Sequence, residues 1–304
     1  MTTPSSSTSV TETPVASSTG APREARTGSL IGDGLTVAKR NLIKIRRVPD
    51  LLIFTTLQPI MFVLLFGYVF GSLAGSGASV QAGYREFMMA GIFTQTIIFG
   101  ATITGYMMAE DMQKGVIDRF RTLPMHPSAV LFGRTLTDVV NNIVVLVVMS
   151  VTGLVIGWRV HGGPVKALWA YVLMLFFAYA LSWVFAYIGM RVRSPEVVNN
   201  ASFMVIFPVT FIANTFVPSQ NMPSVLKTIA GWNPVSTITQ SARENFGNLY
   251  SMQAPGQTHA QIDKQTAYTW ALQHPNLYTL IWSVALLGIF LPFATSAYKK
   301  AVAK

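Results

Sequence analysis

Apolar residues in this chain occur in long unbroken runs rather than in the alternation of a half-buried strand or the one-sided stripe of a soluble helix. Each run is about twenty residues long, the length at which an α-helix crosses the hydrocarbon core of a bilayer. The pattern predicts six spans, at about 51–73, 87–109, 139–157, 167–189, 197–217 and 277–297. An all-α integral membrane protein follows, and an even span number puts both termini on one side. Lys and Arg are retained in cytoplasmic loops. Sixteen of them fall on the side of the termini and six on the other, so both termini are expected in the cytoplasm.

The segments between spans add four elements. Residues 1–30 hold seventeen Ser, Thr or Pro, a composition that buries too little surface to offset chain entropy, and are read as a disordered cytoplasmic tail ahead of a body at 31–304. Leu35, Ala38, Leu42 and Ile45 recur at helical spacing among Lys39, Arg40, Lys44, Arg46 and Arg47, which fits either an interfacial helix or a positive flank that sets topology. The connection 110–138 is charged, yet carries Val116, Ile117, Phe120 and Leu123 at helical spacing before Pro124 and Pro127, so an amphipathic helix is expected there. The long connection 218–276 is too apolar in its first half for a solvated loop, and too broken by Pro218, Pro223 and Pro234 for a span. Short helices dipping into the outer leaflet fit it.

Composition changes the picture in two ways. Only 11% of the 304 residues are charged, too few for a water-soluble surface. The net charge of +10 sits beside the apolar runs, where anionic lipid headgroups meet it, so lipid rather than nucleic acid is the expected partner. Cysteine is absent and the four histidines are scattered, which removes thiolate chemistry and metal sites on one helix face.

What remains is chemistry that is missing. No Lys follows a Gly, so a phosphate-cradling loop cannot form, and nothing matches a nucleophile elbow. The centres of the expected spans hold no Asp, Glu, Lys or Arg of the kind that ion-coupled carriers use. Polar groups at depth are neutral: Gln58, Gln95, Asn141, Asn142, Asn199, Asn200 and Asn214. In the fifth span Asn200, Phe203, Phe207, Phe211 and Asn214 share roughly one face, which suits either an aromatic-lined path for an amphiphile or plain helix packing.

The runs EDMQKGVIDRFRTLPMHPSAVLFGRTLTD at 110–138 and FVPSQNMPSVLKTIAGWNPVSTITQSAREN at 216–245, in this order around six spans, resemble the permease subunit of type-2 ABC exporters, of the daunorubicin-resistance kind. The resemblance implies a coupling helix that fits a cytoplasmic ATPase, with Glu110, Asp111, Lys114, Gly115, Asp118, Arg119, Arg121, Leu123 and Pro124 at the contact. It implies external re-entrant helices carrying Met222, Pro223, Asn233, Pro234 and Arg243, with 248–270 as an addition of no assigned role. It further implies two ATPase copies that bind ATP and Mg, a second permease copy or a similar permease, and a bacterial plasma membrane location. The expected function is ATP-driven export of amphipathic drugs, lipids or related metabolites by a subunit that is itself no enzyme and binds no cofactor. An ion-coupled carrier or channel, and a scaffold without transport, are the alternatives.

Overall fold

The structure is a computed structural model that describes residues 29–47, 49–71, 78–116, 129–192, 194–219, 222–253 and 257–303. Among the described residues every regular element is helical. In chain order these are α1 (Leu30–Arg47), α2 (Pro49–Leu64) running into a π-helical turn (Leu65–Phe70), α3 (Ala78–Gln113), α4 (Ala129–Val155), α5 (Pro164–Arg191) and α6 (Pro195–Ile212). Then come α7 (Ser224–Trp232), α8 (Pro234–Phe246), α9 (His259–Thr266), α10 (Trp270–Gln273) and α11 (Pro275–Ala303). Five stretches, Val80–Gln113, Ala129–Val155, Pro164–Arg191, Pro195–Ile212 and Pro275–Lys300, are long and apolar enough to cross a membrane. The chain is therefore a multi-pass membrane protein. The first expected span coincides with α2 and the π turn, whose described apolar stretch, Leu57–Val69, is shorter.

Local chemistry sets the helix starts. Pro164, Pro195 and Pro234 stand in the first turns of α5, α6 and α8, where a missing N–H leaves no bond unmade. Ser194 and Asn233 accept backbone N–H bonds as the N-caps of α6 and α8. Gly247, at φ 75°, closes α8 in the left-handed conformation that glycine adopts without penalty.

Helix α3 is the centre of the bundle and packs against α2, α4, α5, α6 and α8. Phe93 of α3 meets the ring of Trp158 edge-on at 5.4 Å, and Phe246 of α8 meets the same ring at 5.2 Å. At the end that carries α1 and the end of α11, Met108, Leu131, Trp183 and Tyr298 form a second buried cluster. Val147, Met204 and Val284 are more than half exposed, which is the expected face for lipid.

Two helix pairs touch backbone to backbone. A Cβ on Gly189 of α5 would stand 2.2 Å from the carbonyl oxygen of Gly105 in α3, so neither helix tolerates a side chain at the crossing. Likewise a Cβ on Gly133 of α4 would stand 2.6 Å from the carbonyl oxygen of Gly34 in α1. That contact corrects the stripe expected on α1: Val37 and Ala38 are buried against α4, whereas Leu35 is 52% exposed. Gly34 lets the two backbones approach, and the buried face turns toward that contact. Leu42, Lys44, Ile45, Arg46 and Arg47 have no described side-chain positions.

Substituting Gly189 by Val forces α3 and α5 apart. Overpacking of this kind costs about 1–3 kcal/mol. A lowered thermal midpoint of the detergent-solubilised chain, with α-helical circular dichroism retained before melting, is the expected result.

A carboxamide-lined cavity between two buried polar anchors

Where α2, α3, α4 and α6 meet, the side chains leave a cavity of about 290 Å³. Gln58, Gln95 and Phe203 line it, as do three further carboxamides, Asn141, Asn142 and Asn199. Rings of Phe62 and Phe99 complete the apolar part, and Phe99 stands 5.1 Å from Phe203. The other residues expected along a path do not line this cavity. Asn200, Phe207 and Phe211 are exposed on α6 outside the cavity, with the Phe207 and Phe211 rings stacked at 4.2 Å. Asn214 is not on the helix face at all, because α6 ends at Ile212 and Ala213 is extended at ψ 161°. Its side chain is buried beside α8, and its Oδ1 has no partner among the described residues.

Toward the end that carries α1, the expected coupling segment is only partly described. Residues 117–128, and with them Asp118, Arg119, Arg121, Leu123 and Pro124, lie outside the described residues. Glu110 and Asp111 are not the start of a separate helix. They form the last turn of α3, which runs on to Gln113 and breaks at Lys114 and Gly115, the latter at φ 61°. Lys114 pairs with Glu110 at 2.5 Å, and Arg134 of α4 lies 3.5 Å from Asp111.

One turn beyond Arg134, the Thr104 hydroxyl of α3 donates to the buried Asp138 carboxylate. Sequence reasoning placed Arg134 and Asp138 in a connection because it began this helix at 139. The helix begins at Ala129, so both groups lie inside it. Ten residues of mixed polarity ahead of the apolar run hid the start.

At the opposite end the expected gate residues cluster around the end of α6. Helices α7 and α8 meet at Asn233, whose Nδ2 donates to the Val209 carbonyl at 2.8 Å while its Oδ1 accepts from Val235 N. Arg243, 1% exposed, donates from Nε to the Phe87 carbonyl at 3.0 Å and from one terminal nitrogen to the carbonyls of Asn214 and Thr215 at 2.8 and 2.9 Å. Its guanidinium also lies 3.5 Å from the centre of the Phe87 ring. The helix end leaves carbonyls without intrahelical partners, and α8 supplies the donors. Met222 closes a short turn by donating to Ser219 O, Pro223 is the N-cap of α7, and Pro234 opens α8.

The segment 248–270 is built into this end rather than appended to it. Tyr268 and Thr269 donate their hydroxyls to Lys227 O and Gly231 O, and Tyr278 donates to Trp232 O, so three carbonyls of α7 are satisfied from outside the helix. Glu86 at the start of α3 accepts from Ser251 Oγ at 2.6 Å, from Asn248 Nδ2 at 3.3 Å, and bonds to His161 Nε2 at 2.9 Å. No spacing rule in the sequence pointed to Glu86, since its partners are 75 or more residues away.

A bundle of long apolar helices, a polar cavity among four of them and short helices folded against one end define a polytopic permease. The chain belongs to the ABC-2 type transporter family, whose profile matches residues 34–246. It is 34% identical over 210 residues to the daunorubicin resistance ABC transporter permease protein DrrB1 of Streptomyces coeruleorubidus, covering 69% of this chain and 73% of that protein. The doxorubicin resistance ABC transporter permease protein DrrB of Mycobacterium tuberculosis is 27% identical over 143 residues, 45% of this chain and 50% of that one. A putative transport permease, ycf38, of Cyanophora paradoxa is 23% identical over 209 residues, 68% and 71% of the two chains.

Two substitutions probe the end around α8. Arg243→Met leaves three carbonyls without their donor. At about 1.5–3 kcal/mol for a bond to a charged group, a loss on the order of 3 kcal/mol in unfolding free energy is expected from denaturant titration, with Arg243→Lys losing less. Burial pushes the Glu244 carboxyl from its ordinary 4.5 up to about 7; the Gln240 hydrogen bond pulls it down and nearby Asp263 pushes it up. A carboxyl with a raised folded-state pKa stabilises the fold fully below pH 4.5 and loses that contribution as pH rises through 7. Melting temperatures measured between pH 4.5 and 8 should therefore fall less with pH in Glu244→Gln than in the parent.

Proposed function

We propose that this chain is the membrane-spanning half of an ATP-driven exporter that moves amphipathic compounds out of the cytoplasm or the inner leaflet of a bacterial plasma membrane. The observation that carries it is the family match across 34–246, together with drug-resistance permeases that cover 45–69% of this chain. Those relatives are named for daunorubicin and doxorubicin resistance. The chain lacks a phosphate cradle, so the driving force comes from elsewhere. In this reading two copies of a cytoplasmic ABC ATPase bind the ATP and Mg, and two permease copies, identical or similar, enclose the path.

Helix α2 and its π turn make the sixth span, with both termini cytoplasmic, and α7 and α8 dip back into the outer leaflet. The segment beyond Gly115 engages the ATPase through Asp118, Arg119, Arg121, Leu123 and Pro124, next to Glu110, Asp111 and Lys114. Closure of the ATPase pair displaces that segment, and α3 and α4, which flank it, carry the displacement to the cavity. The chain's own part is non-catalytic: it positions, encloses and releases the cargo. Lipid headgroups meet the basic flanks.

Coexpression with an ABC ATPase encoded beside it, followed by reconstitution, tests this. The permease should copurify with the ATPase and raise its turnover, and Arg119→Glu combined with Arg121→Glu should remove both the stimulation and ATP-dependent export while the permease still reaches the membrane. Export that survives ATP depletion under a maintained ion gradient would instead identify a secondary carrier. Full transport by the doubly reversed variant would remove these arginines from the coupling contact.

A further inference from the structure

Aromatic rings gather where α11 begins, at the end opposite α1. Trp270, His274, Tyr278 and Trp282 recur every four residues across the junction of α10 and α11. The Trp270 ring stands 5.3 Å from that of His274 and 6.2 Å from that of Tyr278, and Tyr278 lies 6.4 Å from Trp282. Trp232, the last residue of α7, joins this column. Its ring is 6.4 Å from that of Tyr278, whose hydroxyl donates to the Trp232 carbonyl. Trp270, Tyr278 and Trp282 lie beyond residue 246, so the family match does not account for them.

These rings do not form a core. Trp232 is 50% exposed and Trp270 45%. The indole N–H groups of Trp232, Trp270 and Trp282 have no partner among the described residues, whereas the buried Trp158 donates to Asn248. The surface beside them is apolar: Val225, Ile229 and Trp232 are exposed at helical spacing on α7, and Leu277, Ile281 and Val284 on α11. From Gln265 to Tyr298 the sequence has no Asp, Glu, Lys or Arg. Helix α11 is long and apolar enough to span, and the Tyr278 bond holds the end of α7 against it, so the exposed face of α7 continues a lipid-facing surface.

The length of α11 sets the depth. Trp282 and Lys299 are seventeen residues apart, about 26 Å at 1.5 Å per residue, close to the roughly 30 Å thickness of a bilayer's hydrocarbon core. With Lys299 and Lys300 at one border, Trp282 falls at the other, and Tyr278, Trp270 and the end of α7 stand just beyond it. Indoles and phenols are favoured at that level, because the apolar ring and the polar N–H or O–H each find their own medium.

We propose that Trp232, Trp270, Tyr278 and Trp282 form an anchor seated among the phospholipid headgroups, with the apolar face of α7 turned to the adjoining acyl chains. The unpartnered indole N–H groups donate to phosphate and ester oxygens of the lipid. Such an anchor needs only a chain that crosses the bilayer, and so stands apart from the exporter reading.

The chain has no cysteine, so a label can be placed at a single site. Ile229→Cys, on the exposed face of α7, and Lys264→Cys, exposed on α9, are each coupled to a nitrobenzoxadiazole fluorophore in the full-length chain. Both are measured in nanodiscs of phosphatidylethanolamine and phosphatidylglycerol. Nitroxide-bearing phospholipids should quench the first label, and aqueous iodide the second. The tryptophan emission lost on combining Trp232→Phe, Trp270→Phe and Trp282→Phe should be quenched about twofold more by a nitroxide at the headgroup end of the acyl chain than by one at its methyl end. Trp270→Ala with Trp282→Ala should raise iodide quenching of the Ile229→Cys label about twofold, and the other measurements stand as the test if that variant does not fold.

Quenching of the Ile229→Cys label by iodide rather than lipid would put α7 in water. Protection from both quenchers, with oxidative cross-linking of Ile229→Cys chains to one another, would give the face to a second copy. Equal tryptophan quenching by both nitroxides, stronger quenching by the methyl-end nitroxide, or no response to loss of the two rings would remove the headgroup anchor. Each of these outcomes overturns the proposal.

Discussion

Every backbone polar group at membrane depth must find its partner inside the protein, because lipid offers none. Burial inside the protein imposes the same demand, most visibly where α6 stops. The helix ends at Ile212, and the carbonyls of Val209, Asn214 and Thr215 would be left without donors. Asn233 and Arg243 supply them, which fixes α8 in position, and α8 in turn closes the aromatic core around Trp158. A buried guanidinium with carbonyl rather than carboxylate partners is an unusual choice. Its several donors in one plane let a single side chain satisfy three oxygens, one from α3 and two from the turn that follows α6.

The same demand explains the short helices at that end. Helix α7 has only nine residues, so its last-turn carbonyls are a large share of the whole; the hydroxyls of Thr269 and Tyr278 reach Gly231 O and Trp232 O, and Tyr268 adds a bond to Lys227 O. The chain between α8 and α11 thus works as a brace for α7. At the other end, the linked pairs Thr104 with Asp138 and Asp111 with Arg134 bind α3 to α4 on both sides of the turn into 117–128. The Thr104 bond to a buried carboxylate is costly to leave unmade, so the two helices are expected to move together.

Length and apolarity made the helices legible in the sequence, because both reflect the thickness of the bilayer rather than any particular partner. Boundaries were less legible. Helices α3 and α4 run past their apolar windows into charged turns, so Glu110, Asp111, Arg134 and Asp138 belong to helices that hydropathy alone cut short. Of the residues expected along a path, Gln58, Gln95 and Phe203 converge on one cavity, whereas Asn200, Phe207 and Phe211, which periodicity grouped with Phe203 on α6, do not line it. Periodicity failed for Asn214, since the rule holds only while the helix continues. Asn141, Asn142 and Asn199 were visible as neutral polar groups, but their convergence depends on how four helices cross, which no local pattern encodes.

The contact between Gly105 and Gly189 has a mechanical meaning. With no side chain between the two backbones at that point, the crossing holds a fixed, close separation. It lies eight residues from the end of α3 at Gln113 and twenty-seven from its start at Ala78, which at 1.5 Å per residue makes arms of roughly 12 and 40 Å. A stiff α3 turning on that fulcrum would convert a shift of its short arm into one about threefold larger, and opposite in direction, at its start by Ala78.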